Sequence, residues 1–465
     1  MKLSKSKWFK PISWVFLGGV LSLIVYGLLQ LIDPVAIAPI AADAQFPQFS
    51  GRKLLVASDA DMVATAYANG VLNRISGVED TLAVLDLPLL DNNYTLNQVP
   101  VSNSVMSWPQ VIATAPDGSK AYVVEARSSP PEDIEAYDDI EDMPPGSLLT
   151  VVDLSQAQPT VTETLSVGRN PDHLAISPDG SLLAIDIDEV GRELLLATLE
   201  PDGSIGEQRY FAVTNATGQP AQVHSVSWHP SGRFLALNLD NRSVAFYEVS
   251  SDSQSGDLAL VPYGTPIEVG NWLSAGKFTS DGRFYLIPDL KWRTWNNIRQ
   301  LNYLMNPKGE VISIRFDGTA TSVVQPEIVS RAEVGLGPEG FTISPDDTLI
   351  VTVNMRRTYL PDLLPAWRGK SHSSLSLLRL DLGSGRLVNV DEYGFEGLLP
   401  EDAVFDASGQ SLAVVIYNYR GEIPRTGVIE FWNVMAGAAP ALERTGFSIE
   451  VTRGAHALAL VPLPS

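Results

Sequence analysis

Apolar residues in this chain come in short paired bursts separated by a tight polar turn, and the unit recurs seven times. The full copies centre on turns at Asp117, Asp179, Ser231, Asp281, Asp346 and Ser408, and a last copy at 456–462 stops after its first burst. Each burst is too short for a helix and has the composition of a buried strand. The Asp-Gly and Ser-Gly pairs supply the positive φ that a two-strand turn needs. A spacing of about 50 to 65 residues suits the blades of a propeller. Each unit therefore predicts a four-stranded antiparallel blade. In blade two the pattern places strands at 173–177, 182–187, 193–199 and 207–213, and in blade five at 340–344, 348–354, 375–382 and 387–392. No long amphipathic helix competes with this pattern.

The truncated last copy predicts how the ring closes. Residues 456–461 supply an innermost strand without partners, whereas 53–58 and 81–87, early in the chain, read as second and third strands lacking a first. Pairing them, with 96–101 outermost, makes a blade of mixed origin and removes the open sheet edges. The predicted fold is an all-β seven-bladed propeller of four-stranded antiparallel blades, with residues 45–465 forming the propeller.

Ahead of it the pattern changes. Lys2, Lys5, Lys7 and Lys10 precede an apolar run from Ile12 to Ile32. That run of about 21 residues is long enough to cross a bilayer as one helix. Residues 1–44 are expected to be an export signal or membrane anchor plus linker, placing the propeller on the extracytoplasmic side, periplasmic or at the cell surface. A small-residue processing site, Ala42-Asp43-Ala44, leaves a cleaved, secreted form as the alternative.

Composition narrows the chemistry. The net charge of −22 excludes an ordinary nucleic-acid surface. The absence of cysteine excludes disulfides, thiolate metal sites, cysteine nucleophiles and covalently attached haem of the CxxCH type. No Walker loop, dinucleotide glycine fingerprint, zinc-helix histidine pair or Gly-x-Ser-x-Gly elbow is present.

The phrases VGRNPDHLAISPDGSLLAI and VGLGPEGFTISPDDTLIVT, followed by third strands such as LLTVVDLS, resemble the YVTN-type repeats of lactonase-like seven-bladed propellers. The resemblance covers nearly everything from Gly51 to Pro462. It implies architecture more strongly than activity, because such propellers carry many functions. Ser231, Asp347 and Ser408 depart from the repeat's turn.

Aligning the repeats marks one position, just before or at the start of each innermost strand: Gln110, Asp172, His224, Ser274, Glu339, Glu401 and His456. These side chains are expected around one mouth of the central channel. Crowded carboxyl groups there would have raised pKa values, and a neighbouring histidine can act as acid or base. Oxygen ligands suit calcium, and the histidines suit another divalent metal. His173, one position later, is expected to face a blade interface, and His372 to lie in an inserted loop.

Five long insertions, at 60–80, 127–146, 290–308, 355–373 and 418–426, all join a second strand to a third and so surround the same mouth. The acidic, proline-flanked stretch 128–146 reads as a solvated mobile flap. Arg293, Trp295, Arg356, Arg357 and Arg420 are candidate ligand-binding residues, together with Gln110, Asp172 and Ser274; cations among aromatic rings suit anionic or ring-bearing ligands.

Two functions follow. One is a binding or scaffold module that holds a small anionic ligand or a protein partner on the insertion-rich face, with the membrane contacted by the N-terminal helix. The other is a lactonase-like hydrolase or isomerase, with His224 or His456 as base and Glu339 or Glu401 as acid or metal ligand.

Overall fold

A computed structural model describes residues 35–41, 46–251, 257–292, 306–320, 322–360, 372–419, 423–461 and 463. Seven antiparallel sheets form the blades of a propeller; in six of them the strands run in chain order from the channel outward, and in the seventh the last strand of the chain is innermost. Blade one uses Ile112–Thr114, Lys120–Val124, Leu148–Asp153 and Thr160–Ser166, and blade two uses Leu174–Ile176, Leu182–Asp186, Leu194–Leu199 and Ile205–Phe211. Blade three uses Val223–Trp228, Phe234–Leu239, Ser243–Ser251 and Leu258–Pro262, with a short fifth strand, Ile267–Glu268, beside the third. Blade four runs from Lys277–Phe278 to Glu327–Glu333, blade five from Pro338–Ile343 to Arg386–Glu396 and blade six from Leu398–Phe405 to Ala441–Thr452, and blade seven is the closing blade.

The repeated turns fold as the sequence requires. Gly118, Gly180, Gly232, Gly282 and Gly409 have φ between 69° and 74°. Blade five puts Asp347 at the corresponding place, with φ 59°. Its carboxylate also accepts from Ser280 N at 2.9 Å, joining the turns of blades four and five. The departure from the repeat is thus used as an inter-blade contact.

Closure occurs as predicted. The last strand, Ala455–Val461, pairs antiparallel with Lys53–Ser58, which pairs with Thr81–Asp86 and through it with Leu96–Pro100. Most of the apolar core lies between neighbouring blades. Phe234, Phe246, Tyr263, Tyr285 and Phe316 form one such seam between blades three and four. Trp432 and Phe395, packed edge to face at 5.9 Å, belong to another between blades five and six.

Two local expectations change. His372 opens the third strand of blade five, opposite Glu396, and is not in the loop. The acidic stretch is anchored to the body. Arg74 donates to the carbonyls of Pro130, Pro131 and Ile134 at 2.6–2.9 Å. Ile140 and Met143 are buried in an apolar cluster with Trp108 and Leu72. Among the described residues no helix is long and apolar enough to cross a membrane; the run from Ile12 to Ile32 lies outside them.

Candidate functional site

All five insertions leave the propeller on one face, because each joins the second strand of its blade to the third. There they build a second apolar core together with Trp108, ahead of blade one, and the strand residues Leu398 and Tyr417 of blade six. Met62, Leu72, Trp108, Ile140, Leu290, Met355, Tyr359, Leu398 and Tyr417, drawn from blades one and four to seven, are buried together. Beside this core opens a cavity of about 570 Å³.

Its lining comes from a repeated local geometry. Asp172, His224 and Glu339, from the aligned strand-start position, reach it. So do Trp108, Asn170, Gln222 and Trp272, each two residues before that position in blades one to four. Tyr67, Arg127, Glu141, Asp188, Asp240, Asn241 and Trp292 complete most of the wall from the adjoining connections.

Part of the wall is already hydrogen-bonded. Asn170 Nδ2 donates to Asp188 at 3.1 Å, Gln222 Nε2 to the other Asp188 oxygen at 3.2 Å, and Gln222 N to Asp240 at 3.0 Å. Arg127 Nη2 pairs with Glu141 at 3.2 Å. These bonds fix carboxylate and amide groups before any ligand arrives, which lowers the ordering cost of binding.

Burial sets the protonation of the deeper acids. Asp172 is raised to about 7 by desolvation, opposed by Arg127 and reinforced by Asp188 and Glu141. Desolvation raises Glu339 to about 8. Near neutral pH both carboxyl groups therefore exchange protons, in the same cavity as the partly buried His224.

The other aligned residues are not in the cavity lining. Gln110 accepts from His173 Nε2–H at 2.7 Å, and His173 Nδ1 accepts from Val226 N at 3.4 Å, so His173 links blades one, two and three. Ser274 is buried and donates to the Glu339 carbonyl. His456 is fully buried, held down to about 3 by desolvation, and donates through Nε2 to Asn103 Oδ1 at 2.7 Å. Glu401 is fully buried, and neither carboxyl oxygen has a hydrogen-bond partner. Desolvation, with Glu339, Asp59 and Asp402 nearby, raises its pKa well above the usual carboxylate range.

Arg356 and Arg357 are also buried away from the cavity. Arg356 pairs with Glu392 of the outer strand at 3.5 Å, and Arg357 donates to the Asn306 carbonyl at 3.3 Å. Arg293, Trp295 and Arg420 lie outside the described residues.

The described residues contain one group with metal-ligand spacing, Asp59, Asp61 and Asp80, whose oxygens lie within 4.8 Å of one another. The backbone N–H groups of Asp61 and Val105 already donate to Asp59, and those of Ala60 and Asn103 to Asp80. Arg453, fully buried, faces Asp59 and Asp61 and supplies positive charge. Asp172, His224 and Glu339 do not form a group of this spacing.

No family model matches the chain, and no curated protein matches it. Solved structures share the fold. A periplasmic gluconolactonase of Pseudomonas aeruginosa is 18% identical with a TM-score of 0.56, covering 89% of this chain and 100% of its own. A Bacteroides uniformis protein to which 6-phosphogluconolactonase activity is ascribed is 14% identical with a TM-score of 0.54, again covering 89% and 100%. A functionally unknown protein from Desulfotomaculum acetoxidans is 10% identical with a TM-score of 0.53, covering 88% and 98%. At these identities the likeness establishes the propeller and leaves the chemistry to the site itself.

Proposed function

We propose that the cavity binds a small, uncharged ring compound rich in hydroxyl groups, such as a sugar or sugar lactone. The observation that carries this reading is the lining: three tryptophans beside a prebonded set of Asn170, Asp188, Gln222 and Asp240, in one cavity of about 570 Å³. Indole faces supply apolar area for ring faces, while fixed carboxylates and amides accept from and donate to hydroxyl groups. The same lining argues against the small anionic ligand. Arg127, the lone guanidinium among its described residues, is paired with Glu141, and Asp172, Asp188, Asp240 and Glu339 bring further carboxyl groups.

Hydrolytic opening of a lactone is the second reading. It is favoured by Asp172 and Glu339, which titrate near neutrality in the cavity that also holds His224. One of these groups would deprotonate the attacking water while another protonates the departing alkoxide.

The test is titration of tryptophan emission with neutral monosaccharides, aldonolactones and their anionic phosphates, together with a lactone-hydrolysis assay. Saturable quenching by neutral ligands, lost in Trp272→Ala, is expected. Binding confined to the phosphates would refute the neutral-ligand reading. Turnover abolished in both Asp172→Asn and His224→Ala would establish the hydrolytic reading, and binding without turnover would exclude it.

A further inference from the structure

Residues 35–41 lie along the outer rim of blades five and six. Ala38 N donates to the Gly394 carbonyl at 2.8 Å, Gly394 N to the Ala36 carbonyl at 3.0 Å, and Ala41 N to the Arg444 carbonyl at 3.1 Å. Ile37 thereby bridges to the outer strand of blade five, Arg386–Glu396, and Ile40 to that of blade six, Ala441–Thr452. Ala38 is 8% exposed and sits in the apolar cluster of Phe395, Trp432 and Leu442.

Both outer strands make room for this strap. A side-chain carbon on Gly394 would come within 2.7 Å of the Ala36 carbonyl oxygen, and one on Gly446 within 3.0 Å of Ile40. The strap is therefore seated by backbone bonds, a buried side chain and two close approaches at glycine. It also covers part of the exposed edges that outer strands present.

The strap lies between two features of the sequence: the apolar run ending at Ile32 comes before it, and Ala42-Asp43-Ala44 follows. Cleavage at the second would remove the strap together with the run. We infer that the strap is a permanent part of the folded body, that the chain keeps its apolar N-terminal run, and that the rim of blades five and six lies against a lipid bilayer.

Reach supports the placement. Asp33 and Pro34 alone separate the run from the strap, and the three steps from Ile32 to Val35 span at most about 11 Å. The headgroup layer is about 5–8 Å deep, so a spanning run would hold this rim within a few ångströms of the membrane surface. The rim bears the apolar side chains such a surface accepts: Ile37, Ile40, Val388 and Val390 are 42%, 54%, 46% and 38% exposed. The ligand cavity is lined from the strand-start face of the toroid and not from the rim, which leaves it accessible from the aqueous side.

The natural chain has no cysteine, so single reporters can be introduced cleanly. Full-length protein is expected to stay in the membrane through an alkaline wash with the intact mass of 50.3 kDa. A soluble species beginning at Gln45 overturns retention. In phosphatidylcholine vesicles containing nitroxide lipid, a dye on Val390→Cys is expected to be quenched several-fold more than one on Asp202→Cys, across the ring in blade two. Equal quenching overturns the rim placement.

Gly394→Val tests the seating, and proteinase K is expected to cut within residues 35–41 of this variant much faster than in the natural chain. An unchanged rate refutes the seating. If the variant does not fold, rapid cutting there in the natural chain, with the propeller intact, refutes it equally.

Discussion

Removing residues 456–465 takes away the innermost strand of the closing blade. In the intact protein this strand pairs along its length with Lys53–Ser58, from Val461 opposite Lys53 to Ala455 opposite Ser58. Leu458 and Val461 are buried at 7% and 0% exposure, and burial of two such side chains is worth about 3–6 kcal/mol. Two buried polar groups also lose partners: Asn103 loses His456 Nε2, and Asp402 loses the backbone N–H of Leu458. Each orphaned group costs about 1–3 kcal/mol. The loss of about 5–12 kcal/mol is comparable with the whole stability of a typical domain, about 5–15 kcal/mol. The truncated chain is therefore expected not to fold, while deletion of 463–465 is tolerated. Val461→Ala gives a graded control, with a loss of about 2 kcal/mol from two methylene equivalents and a partial cavity. Far-UV circular dichroism, size exclusion and urea unfolding of the three proteins provide the measurement. A truncated protein that melts at the full-length temperature would refute the account of closure.

Arg74→Ala should release the acidic loop, because it removes the guanidinium that holds the carbonyls of Pro130, Pro131 and Ile134. Limited proteolysis should then cut near residues 130–140 many-fold faster with little change in the urea midpoint, and an unchanged cutting rate would show that Ile140 and Met143 hold the loop without it. Stability should also fall as pH rises from about 6.5 to about 8.5. Asp59 and Asp172 are raised to about 7 and Glu339 to about 8, and an acid with a raised folded pKa stabilises at low pH and loses that contribution as pH climbs through the folded value. His173 and His456, held down to about 3 from 6.5, have the opposite sign, but their contribution is already complete above 6.5. A urea midpoint that is flat or rises across this window contradicts the assigned burial of the acids.

The repeat made the blades, turns, closure and common face of the insertions legible, because all depend on local period and spacing. Pairings between distant residues were less accessible. Arg356 and Arg357 read as ligand-binding cations of an insertion, but Arg356 meets Glu392 of an outer strand and Arg357 meets a carbonyl at Asn306. The aspartate group is similar. Ser58 pairs with Thr81, so the next residues outward, Asp59 and Asp80, come together across the strand pair although an insertion separates them in sequence. One signal was present and unused: the residue two places before each strand-start position is Trp108, Asn170, Gln222 or Trp272 in blades one to four, and all four line the cavity.

The unequal fates of the aligned residues follow from what lies above each blade. Blades two and three connect their second and third strands within 187–193 and 240–242, too short to cover the channel mouth. Their strand-start residues, Asp172 and His224, consequently face the cavity. Blades six and seven carry insertions that close over theirs. Tyr417 donates to the carbonyls of Asp59 or Met62, at 3.2 and 3.0 Å, and Arg453 to those of Asn73 and Met62. Met62, Ala64 and Leu398 seal the layer, and beneath it Glu401 and His456 have no exposed surface. Over blades six and seven the long connections thus act as plugs, while the short ones of blades two and three leave the opening. The repeat supplies a polar residue to every blade, and the loops above decide which can meet a ligand: those of blades one and four instead build wall, with Arg127, Glu141 and Trp292 in the lining, and Glu339 of blade five still reaches the cavity.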